Sequence, residues 1–361
     1  MKIAFVNDDI YTYATNDPSA IGGAERQQWL LARALTDACW SVTVGVRRFL
    51  EAGERRTVHG VQFVGLGRGQ ILKEWYRFLL SERPNWLYWR CADHLLGPMF
   101  RIARLAAVRT IFSAGFDTDV RPRDALARRR HWWPLYAWGL SQAERVFIQH
   151  RGQLSQLPSK WRSKAYLVPS IAGEIGTVTP HSKRNRYVAW VAVLRQHKRP
   201  ELLVEIASKS PDIRFVVCGG PSTFGSAIGY SERIMEALKG LPNVEFLGQV
   251  APVMAQHVIA EAALFLSTSN GEGFPNTFLQ AWASGTPVVS VEIDPGSVIE
   301  RAGLGAVPTT VEDARREIYA IMDSPTRRDA IALRAQEHIA RHHSEAVVVQ
   351  TFQRAVSGPY A

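Results

Sequence analysis

Short apolar segments alternate with longer helix-forming segments along the whole chain. The first half predicts β-strands at residues 3–7, 41–46, 61–64, 86–89, 110–113 and 146–149. Its clearest helix covers residues 24–38. The second half predicts strands at 187–191, 213–218, 244–247, 264–267 and 288–291, and helices at 200–208, 231–239, 252–262, 276–284 and 326–340. Because such alternation produces parallel sheets covered by helices on both faces, the sequence predicts an α/β fold.

The length predicts two domains. A chain of 361 residues is too long for one typical core and suits two domains of ordinary size. Residues 171–186 are rich in Gly, Pro, Ser and Thr and predict a linker. The expected domains are therefore 1–170 and 187–343, followed by a C-terminal helical segment at 344–361. Two doubly wound domains that face each other across a cleft bind ligands at the carboxyl ends of their strands.

Composition and cysteine usage indicate a soluble cytoplasmic protein. Hydrophobic residues make up 46% of the chain and charged residues 21%, which is typical of globular proteins. No apolar segment approaches the ~20 residues that a membrane span requires, and the chain starts with a strand-like segment rather than a signal peptide. Its three cysteines, Cys39, Cys91 and Cys218, have no metal-binding spacing, which favours a reducing compartment.

The positive charge is concentrated in the first half. Residues 1–180 contain 25 Lys or Arg and 15 Asp or Glu, whereas residues 181–361 contain 18 of each kind. The N-terminal domain is therefore expected to meet an anionic partner: nucleic acid, an anionic membrane face or a phosphate-bearing acceptor. The densest cluster, residues 128–138, reads RRRHWWPLYAW. It suits a membrane interface, stacking on single-stranded bases, or a solvated helix whose aromatic rings pack inward.

Residues 271–287 carry the strongest functional signal. They read GEGFPNTFLQAWASGTP, so a bent loop with an acidic residue leads directly into a helix. A helix N-terminus binds anions through its free N–H groups and its dipole. Glu272, just before it, can accept hydrogen bonds from hydroxyl groups. A carboxylate for hydroxyls beside N–H groups for phosphate is the chemistry that a nucleotide-sugar requires. The alternative is a capped surface helix with no ligand.

This segment resembles the donor site of the family-4 glycosyltransferases, which are retaining enzymes. The family pattern is Glu, seven residues, Glu; Glu272 matches the first position and Gln280 stands at the second, as in one branch of the family. The resemblance implies the GT-B fold, with two facing Rossmann-like domains, and a C-terminal helix that crosses back to the N-terminal domain. It implies no metal and no cofactor apart from the nucleoside-diphosphate sugar donor. Donor-binding positions then fall on Gly273, Phe274, Pro275, Asn276, Thr277 and Gln280.

Further motifs match the same family by position. After the strand at 187–191, relatives use a Lys and usually an Arg to bind the donor diphosphate. Lys198 matches the Lys, but Val193 stands at the usual Arg position, so Arg195 is the expected substitute. Two cations there can stabilise the departing nucleoside diphosphate. The glycine pairs Gly22-Gly23 and Gly219-Gly220 match loops that approach the ligands closely. The alternative for the cations is a solvated basic loop.

The motif Asp117-Thr118-Asp119 allows three interpretations. In another glycosyltransferase fold, Asp-x-Asp holds a divalent metal with the donor. Here it follows the strand at 110–113, in the domain that the resemblance assigns to the acceptor, where many relatives place a His. We favour Asp117 as the carboxylate that orients or deprotonates the acceptor hydroxyl. A metal site and a helix N-cap are the alternatives.

The expected function is therefore retaining, metal-independent transfer of a hexose-type sugar to a glycan or lipid-linked acceptor in surface polysaccharide biosynthesis. The basic N-terminal half predicts peripheral association with the inner face of the membrane, and no nucleic-acid partner is expected. Two alternatives stay open. The departures at Gln280 and Val193 suit a catalytically silent homologue that acts as a scaffold. A nucleotide-sugar epimerase would use the same two-domain architecture without an acceptor.

Overall fold

A computed structural model describes residues 1–20, 22–126, 129–173, 179–222 and 226–358. The chain forms two compact units. The N-terminal unit contains Met1–Ile171 and the chain from Glu345 onward, and the C-terminal unit contains Ala172–Ser344. Within the described residues, no helix is both long enough and apolar enough to span a membrane.

The N-terminal unit is built on an eight-stranded sheet in the order β3-β4-β2-β1-β5-β6-β7-β8. Its strands are β1 Lys2–Val6, β2 Ser41–Val46, β3 Arg55–Val58, β4 Val61–Gly65, β5 Trp86–Arg90, β6 Arg109–Ser113, β7 Arg145–Ile148 and β8 Ala165–Leu167. The predicted strands of this half are all present, each within one residue of its expected bounds. All pairs are parallel except β3 with β4. The edge strands β3 and β8 were not predicted.

Helices cover both faces of this sheet, as the alternation predicts. They are α1 Ile10–Ala14, α2 Gly23–Asp37, α3 Ile71–Glu82, α4 Leu96–Leu105, α5 Pro122–Ala125, α6 Trp133–Gln142, α7 Arg151–Gln156 and α8 Ser159–Arg162. On one face, α2 buries Trp29 and Leu35 against Phe63 and Val44 of the sheet. On the other, α4 and α6 bury Phe100 and Tyr136 in a second core. Strands with apolar residues on both faces therefore form the buried centre of the unit.

The C-terminal unit has a six-stranded parallel sheet in the order β11-β10-β9-β12-β13-β14. Its strands are β9 Tyr187–Val191, β10 Arg214–Cys218, β11 Val244–Gly248, β12 Leu264–Ser267, β13 Val288–Ser290 and β14 Gly305–Ala306. Only the two-residue β14 was not predicted. The helices are α9 Pro200–Ser208, α10 Tyr230–Lys239, α11 Pro252–Ala260, α12 Asn276–Ala283, α13 Val298–Ala302, α14 Val311–Met322 and α15 Pro325–His342. Trp190 and Trp282 are buried in the cores on opposite faces.

The last helix, α16 (Glu345–Ser357), belongs to the N-terminal unit. Phe352 packs edge-on against Trp40 and Phe147, with ring centroids 5.7 and 5.3 Å apart. Arg145, which is 1% exposed, donates to the carbonyl of Ala355 at 2.9 Å and to that of Gly358 at 2.8 Å. A buried cation therefore holds the carboxyl end of this helix.

The predicted linker is largely bound to the C-terminal unit. Residues 174–178 lie outside the described residues, but His181–Lys183 forms a 3₁₀ turn. His181 is buried, and its Nε2–H donates to the carbonyl of Gly285 at 2.9 Å. Arg184 donates to the Thr286 hydroxyl at 2.7 Å. These bonds make residues 179–186 an anchored approach to β9 rather than a free connection.

Candidate active site

The candidate donor site lies where the strand order of the C-terminal sheet reverses. Strands β9 and β12 are adjacent there, and their following loops leave the carboxyl edge of the sheet, the edge at which the parallel strands end. In α/β sheets this switch point is where ligands bind. The two loops are tied together: the Asn270 N–H donates to the His197 carbonyl at 2.9 Å, and the Thr268 hydroxyl donates to the Lys198 carbonyl at 2.6 Å.

An ion pair joins the two residues that the sequence marks most strongly. The Lys198 ammonium donates to Oε1 of Glu272, although 74 positions separate the two residues. The Glu272 side chain is 9% exposed and that of Lys198 is 21% exposed. Sequence analysis placed both residues at the donor but did not predict that they bind each other. The arrangement provides a cation for phosphate beside a carboxylate for hydroxyls, each partly satisfied before a ligand arrives.

Helix α12 starts directly after Glu272 and its loop. Asn276 is its first residue, and Pro275 before it has no side chain that could cap the helix. Gly273 is buried and Thr277 is half-buried. The Phe274 ring packs in the core, 6.2 Å from Trp282 and 5.1 Å from His343, so this residue can offer a ligand only its backbone.

Gln280 lies in the middle of α12 and is half-buried. Its carbonyl accepts a hydrogen bond from the Gln256 amide at 3.4 Å. Its side-chain amide can both donate and accept, so it retains the hydrogen-bonding capacity that a ribose hydroxyl requires.

The other predicted donor residues lie on neighbouring loops of the same edge. Arg195 donates from Nε to the Ser222 hydroxyl at 2.9 Å, which directs it toward the loop after β10. A Cβ on Gly219 would lie 2.3 Å from the Ala192 carbonyl oxygen, and one on Gly220 would lie 2.7 Å from Oε1 of Gln249. The glycine pair is thus explained by close packing of three loops, and this packing shapes the edge of the site.

Arg199 of the β9 loop has a structural role that sequence analysis did not assign, and His197 beside it is neutral. Arg199 has a left-handed backbone (φ 45°), donates to the Thr268 carbonyl at 2.8 Å and pairs with Glu292 at 3.1 Å. It therefore fastens the β9 loop to those after β12 and β13. The pKa of His197 is lowered to about 4, first by burial and then by the neighbouring Lys198, so the ring is neutral at physiological pH.

In the N-terminal unit, the first glycine pair begins helix α2. Gly22 has φ 107°, and a Cβ there would lie 2.1 Å from Oε2 of Glu25. Gly23 is the first residue of the helix, and Ile21 before the pair lies outside the described residues. The Glu25 carboxylate also accepts a hydrogen bond from the Asn7 amide at 3.4 Å. The glycines thus allow a carboxylate to approach the backbone at the carboxyl edge of β1.

The two aspartates of Asp117-Thr118-Asp119 face different partners. Oδ2 of Asp119, which is buried, accepts the N–H groups of Gly115 and Phe116 at 2.8 and 2.9 Å, and burial raises its pKa. Oδ1 of Asp117 instead accepts hydrogen bonds from His150 and Gln153. Among the described residues, no group of three or more His, Cys, Asp or Glu side chains could hold a metal ion. Asp119 is best explained as the residue that closes this loop; the role of Asp117 stays a prediction.

Asp117 is held by a histidine that sequence analysis missed. His150 donates from Nε2 to Oδ1 of Asp117 at 2.8 Å, and the Gln153 amide donates to the same oxygen at 3.0 Å. His150 is 8% exposed, whereas the Asp117 side chain is 33% exposed. Oδ2 of Asp117 is therefore the oxygen left for a ligand. His150 lies two residues after β7 and Asp117 lies four residues after β6, so their contact follows from the adjacency of these two strands rather than from a motif.

An open cavity of about 650 Å³ lies at the amino edge of the N-terminal sheet. Its lining includes Arg83, Trp86 and Arg109, and no predicted site residue contributes to it. The strands of this unit start at that edge, so the cavity is distinct from the loops that carry Asp117 and His150.

Comparison with known proteins connects these features to a family. Residues 185–324 match the glycosyl transferases of group 1. The D-inositol 3-phosphate glycosyltransferase of Mycolicibacterium gilvum is 24% identical over 253 residues, which cover 65% of this chain and 52% of that protein. The chain thus spans about half the length of this relative.

Solved structures share the fold over the full length. A sucrose-phosphate synthase from Thermosynechococcus elongatus superposes with a TM-score of 0.79 at 16% identity, covering 99% of this chain and 98% of that one. Anabaena HepE, described in complex with UDP-glucose, gives a TM-score of 0.72 at 16% identity, covering 99% and 100%. The predicted GT-B fold, with two parallel-sheet α/β domains, is confirmed. Residues 185–324, which lie in the C-terminal unit, are thus similar to the group 1 glycosyl transferases.

Proposed function

We propose that the protein is a retaining glycosyltransferase that moves a hexose-type sugar from a nucleoside-diphosphate sugar to a hydroxyl group of a glycan or lipid-linked acceptor. The Lys198–Glu272 pair at the switch point of the C-terminal sheet is the observation that carries the proposal. It lies inside the segment that matches the group 1 glycosyl transferases. Since HepE is described with UDP-glucose, a UDP-sugar is the first donor to test.

The donor is proposed to bind as follows. The diphosphate binds Lys198 and Arg195 and lies near the first N–H groups of α12, where cations and the helix dipole favour negative charge. Glu272 then accepts hydrogen bonds from hydroxyl groups of the sugar, and its ion pair with Lys198 weakens. The Gln280 amide takes the ribose hydroxyls. In the free protein, Lys198 compensates the negative charge of the mostly buried Glu272 carboxylate.

The chemistry follows from this placement. The acceptor oxygen forms a bond to the anomeric carbon while the bond between that carbon and the diphosphate oxygen breaks. Attack on the face from which the diphosphate leaves gives retention, as the family resemblance implies. The hydroxyl proton passes to the leaving diphosphate oxygen, and Asp117 orients the hydroxyl through its free Oδ2. Lys198 and Arg195 supply the positive charge that the leaving group needs, so we propose that no metal is required.

We further propose that the protein binds anionic membrane surfaces and acts in surface polysaccharide synthesis. Trp132, Trp133 and Trp138 are 41%, 37% and 42% exposed, and the Arg123 guanidinium lies 5.3 Å from the Trp133 ring centroid. Exposed tryptophan beside arginine suits the interfacial region of a bilayer. Replacing Arg128–Arg130 by Glu should release the protein from vesicles that contain anionic lipid; unchanged binding would refute this part.

Thermal unfolding in the presence of UDP-, GDP-, ADP- and dTDP-sugars, with and without EDTA, tests the proposed donor site. A ligand that binds the folded state raises the midpoint by mass action. We expect one nucleotide class to raise it, with no effect of EDTA. Glu272→Ala should abolish the shift, and Glu236→Ala, which removes an exposed carboxylate of the same unit, should not. No shift with any donor would contradict the proposal, and a shift lost in EDTA would contradict its metal independence.

A further inference from the structure

The open cavity at the amino edge of the N-terminal sheet has no part in the proposed reaction. Its volume is about 650 Å³, and ligand pockets measure roughly 300–1,000 Å³. Strands β5 and β6 start at this edge, with Trp86 and Arg109 as their first residues. The proposed donor and acceptor residues follow the carboxyl ends of strands instead. A ligand in this cavity would therefore be additional to both substrates.

An apolar wall and two cations line the cavity. The apolar lining residues are Leu80, Pro84, Trp86, Ala106 and Ala107. Arg83 and Arg109 are its charged side chains, and no Asp or Glu of the described residues contributes to the lining. An apolar wall beside a few convergent polar groups is typical of small-molecule sites. The charge of the lining selects an anion.

Arg109 is fixed in orientation but keeps free donors. Its guanidinium carbon lies 3.9 Å from the ring centroid of the buried Trp86. Nε donates to Oε2 of Glu144 at 2.9 Å, which is the only hydrogen bond of the Arg109 side chain to the described residues. Stacking and ion pairing therefore hold one edge of the guanidinium, and its two Nη groups can still bind an oxyanion.

Arg83 occupies a backbone position that favours glycine. It ends helix α3 with φ 47°, in the left-handed region, and its N–H donates to the Leu79 carbonyl at 3.0 Å. Helix α13 ends in the same way at Gly303, with φ 63°. Because a side chain in this region costs free energy that glycine avoids, an arginine destabilises this helix end relative to glycine.

No contact within the described part of the chain accounts for the Arg83 side chain. Arg199 has a similar backbone, with φ 45°, but its side chain pairs with Glu292 and fastens neighbouring loops. The Arg83 side chain is exposed and has no hydrogen bond or ion pair with the described residues. Glu82 beside it is already paired with Arg55. The guanidinium of Arg83 is therefore available to a ligand of the cavity.

We propose that the cavity binds a small amphipathic carboxylate, an apolar chain or ring that carries one carboxylate group. The carboxylate binds Arg83 and Arg109, and the apolar body lies against Leu80. Two guanidinium groups less the paired Glu144 leave one positive charge, which one carboxylate balances. The proposal goes beyond the proposed glycosyl transfer and does not depend on it.

The ligand comes from solution rather than from a bilayer. Helix α4 separates the cavity from the exposed tryptophans that are proposed to meet a membrane. At its start, a Cβ on Gly97 would lie 2.4 Å from Cε3 of Trp138, whereas Ala106 and Ala107 of the cavity follow its end. The ten residues of this helix span about 15 Å. A bilayer that contacts the tryptophans therefore lies away from the cavity.

Binding of octanoate tests the site, with octanol and acetate as controls for the apolar body and the carboxylate alone. Dissociation constants are measured by saturation-transfer NMR titration. We expect the wild type to bind octanoate at least about ten-fold more tightly than either control, because charge-assisted hydrogen bonds and apolar contact act together. Arg83→Gly should remove this preference. Arg101→Gln, at an exposed position on α4 that does not line the cavity, should keep it.

Two further measurements separate binding from folding and from membrane contact. The thermal midpoint of Arg83→Gly should be equal to or higher than that of the wild type, because glycine relieves the left-handed backbone. Leu80→Asp should abolish octanoate binding by placing a negative charge in the apolar wall. Equal affinity for octanoate in the wild type and Arg83→Gly would overturn the proposal. Loss of binding to vesicles that contain anionic lipid in Arg83→Gly would overturn its assignment to a ligand in solution.

Discussion

Charged residues at the carboxyl edges of the two sheets have different kinds of partner. In the C-terminal unit, Lys198 pairs with the carboxylate of Glu272, and Arg199 pairs with Glu292. In the N-terminal unit, Arg90 donates to the hydroxyl of Ser113, and Asp117 binds the imidazole of His150 and the amide of Gln153. Lys198 and Arg199 are thus each paired with a carboxylate, whereas Arg90 and Asp117 are not paired with each other, although Arg48 at the same edge pairs with Asp8 and Asp9.

This difference indicates what each edge can bind. A paired edge offers a cation and a carboxylate side by side, which suits a ligand that carries both phosphate and hydroxyl groups, such as a nucleotide-sugar. At the other edge, Asp117 is held by His150 and Gln153 and offers a carboxylate oxygen to a hydroxyl group, as proposed for the acceptor. The comparison can be tested by changing one charged residue at a time on each edge.

The largest expected effect follows from Lys198→Ala. The variant removes the cation proposed to stabilise the leaving diphosphate and leaves Glu272 without its partner, so the transfer rate should fall about 10²–10³-fold. Lys198→Arg, which keeps the charge, should retain part of the activity. Lys209→Ala, at an exposed lysine of the same unit, is the matched control. A loss smaller than about three-fold in Lys198→Ala would contradict the role of the pair.

The contrast between Arg145 and Arg90 predicts different effects on stability. Arg145→Met should lower the free energy of unfolding of the N-terminal unit by about 3 kcal/mol, because three carbonyl groups lose a charged donor. Arg90→Met should lower it by less than about 1 kcal/mol, since Arg90 has fewer protein partners. Urea unfolding followed by circular dichroism measures both. Equal losses would show that Arg90 is structural as well.

Asp117→Asn separates the two edges functionally. The substitution should lower the transfer rate about 10²-fold, because the neutral amide orients the acceptor hydroxyl less well. The affinity for the donor should not change, since Asp117 belongs to the other unit. His150→Ala should lower the rate about ten-fold through the lost bond to Asp117. A change in donor affinity as large as the change in rate would contradict this division of roles.

The smallest expected effect is a pH dependence of the C-terminal unit. Burial is the largest cause that lowers the pKa of His181, His197 and His338 to about 4. Above pH 6.5, the ordinary pKa of histidine, these rings are neutral in the folded and in the unfolded protein and do not change its stability. Between pH 6.5 and about 4, the unfolded chain binds protons that the folded unit does not, so stability falls as the pH falls.

Calorimetry at about pH 7.5 and about pH 5 checks this prediction. The transition of the C-terminal unit should move to lower temperature at the acidic pH. His338→Gln should reduce the shift, because one of the three buried rings no longer titrates. An unchanged transition would mean that the buried rings are protonated at the same pH in the folded and unfolded states.

Much of the fold could be predicted from the sequence, because buried parallel strands are continuous apolar segments. Strands β2 and β9 begin and end at the predicted residues. The strands that were missed are short or charged: β3 reads RRTV, and β14 has only two residues. Their pairing depends on neighbours in the sheet rather than on local pattern.

The candidate site was predictable only in part. Glu272 and Lys198 were found because each lies in a local motif, but their contact depends on two loops that are 74 positions apart. The hydrogen-bond partners of Asp117 and Arg90 were not predictable, because His150 and Arg90 belong to no sequence motif. Their contacts depend on the adjacency of β5, β6 and β7 in the sheet. Local sequence identified the ligand chemistry, and topology decided which groups meet.

The most direct test of the account is donor affinity measured by titration calorimetry on the wild type, Glu272→Gln and Asp117→Asn. The ligand is the nucleotide-sugar that gives the largest thermal shift. The account predicts that the wild type and Asp117→Asn bind it equally and that Glu272→Gln binds it at least about ten-fold more weakly. Equal binding by Glu272→Gln, or a loss confined to Asp117→Asn, would contradict the assignment of the donor to the paired edge.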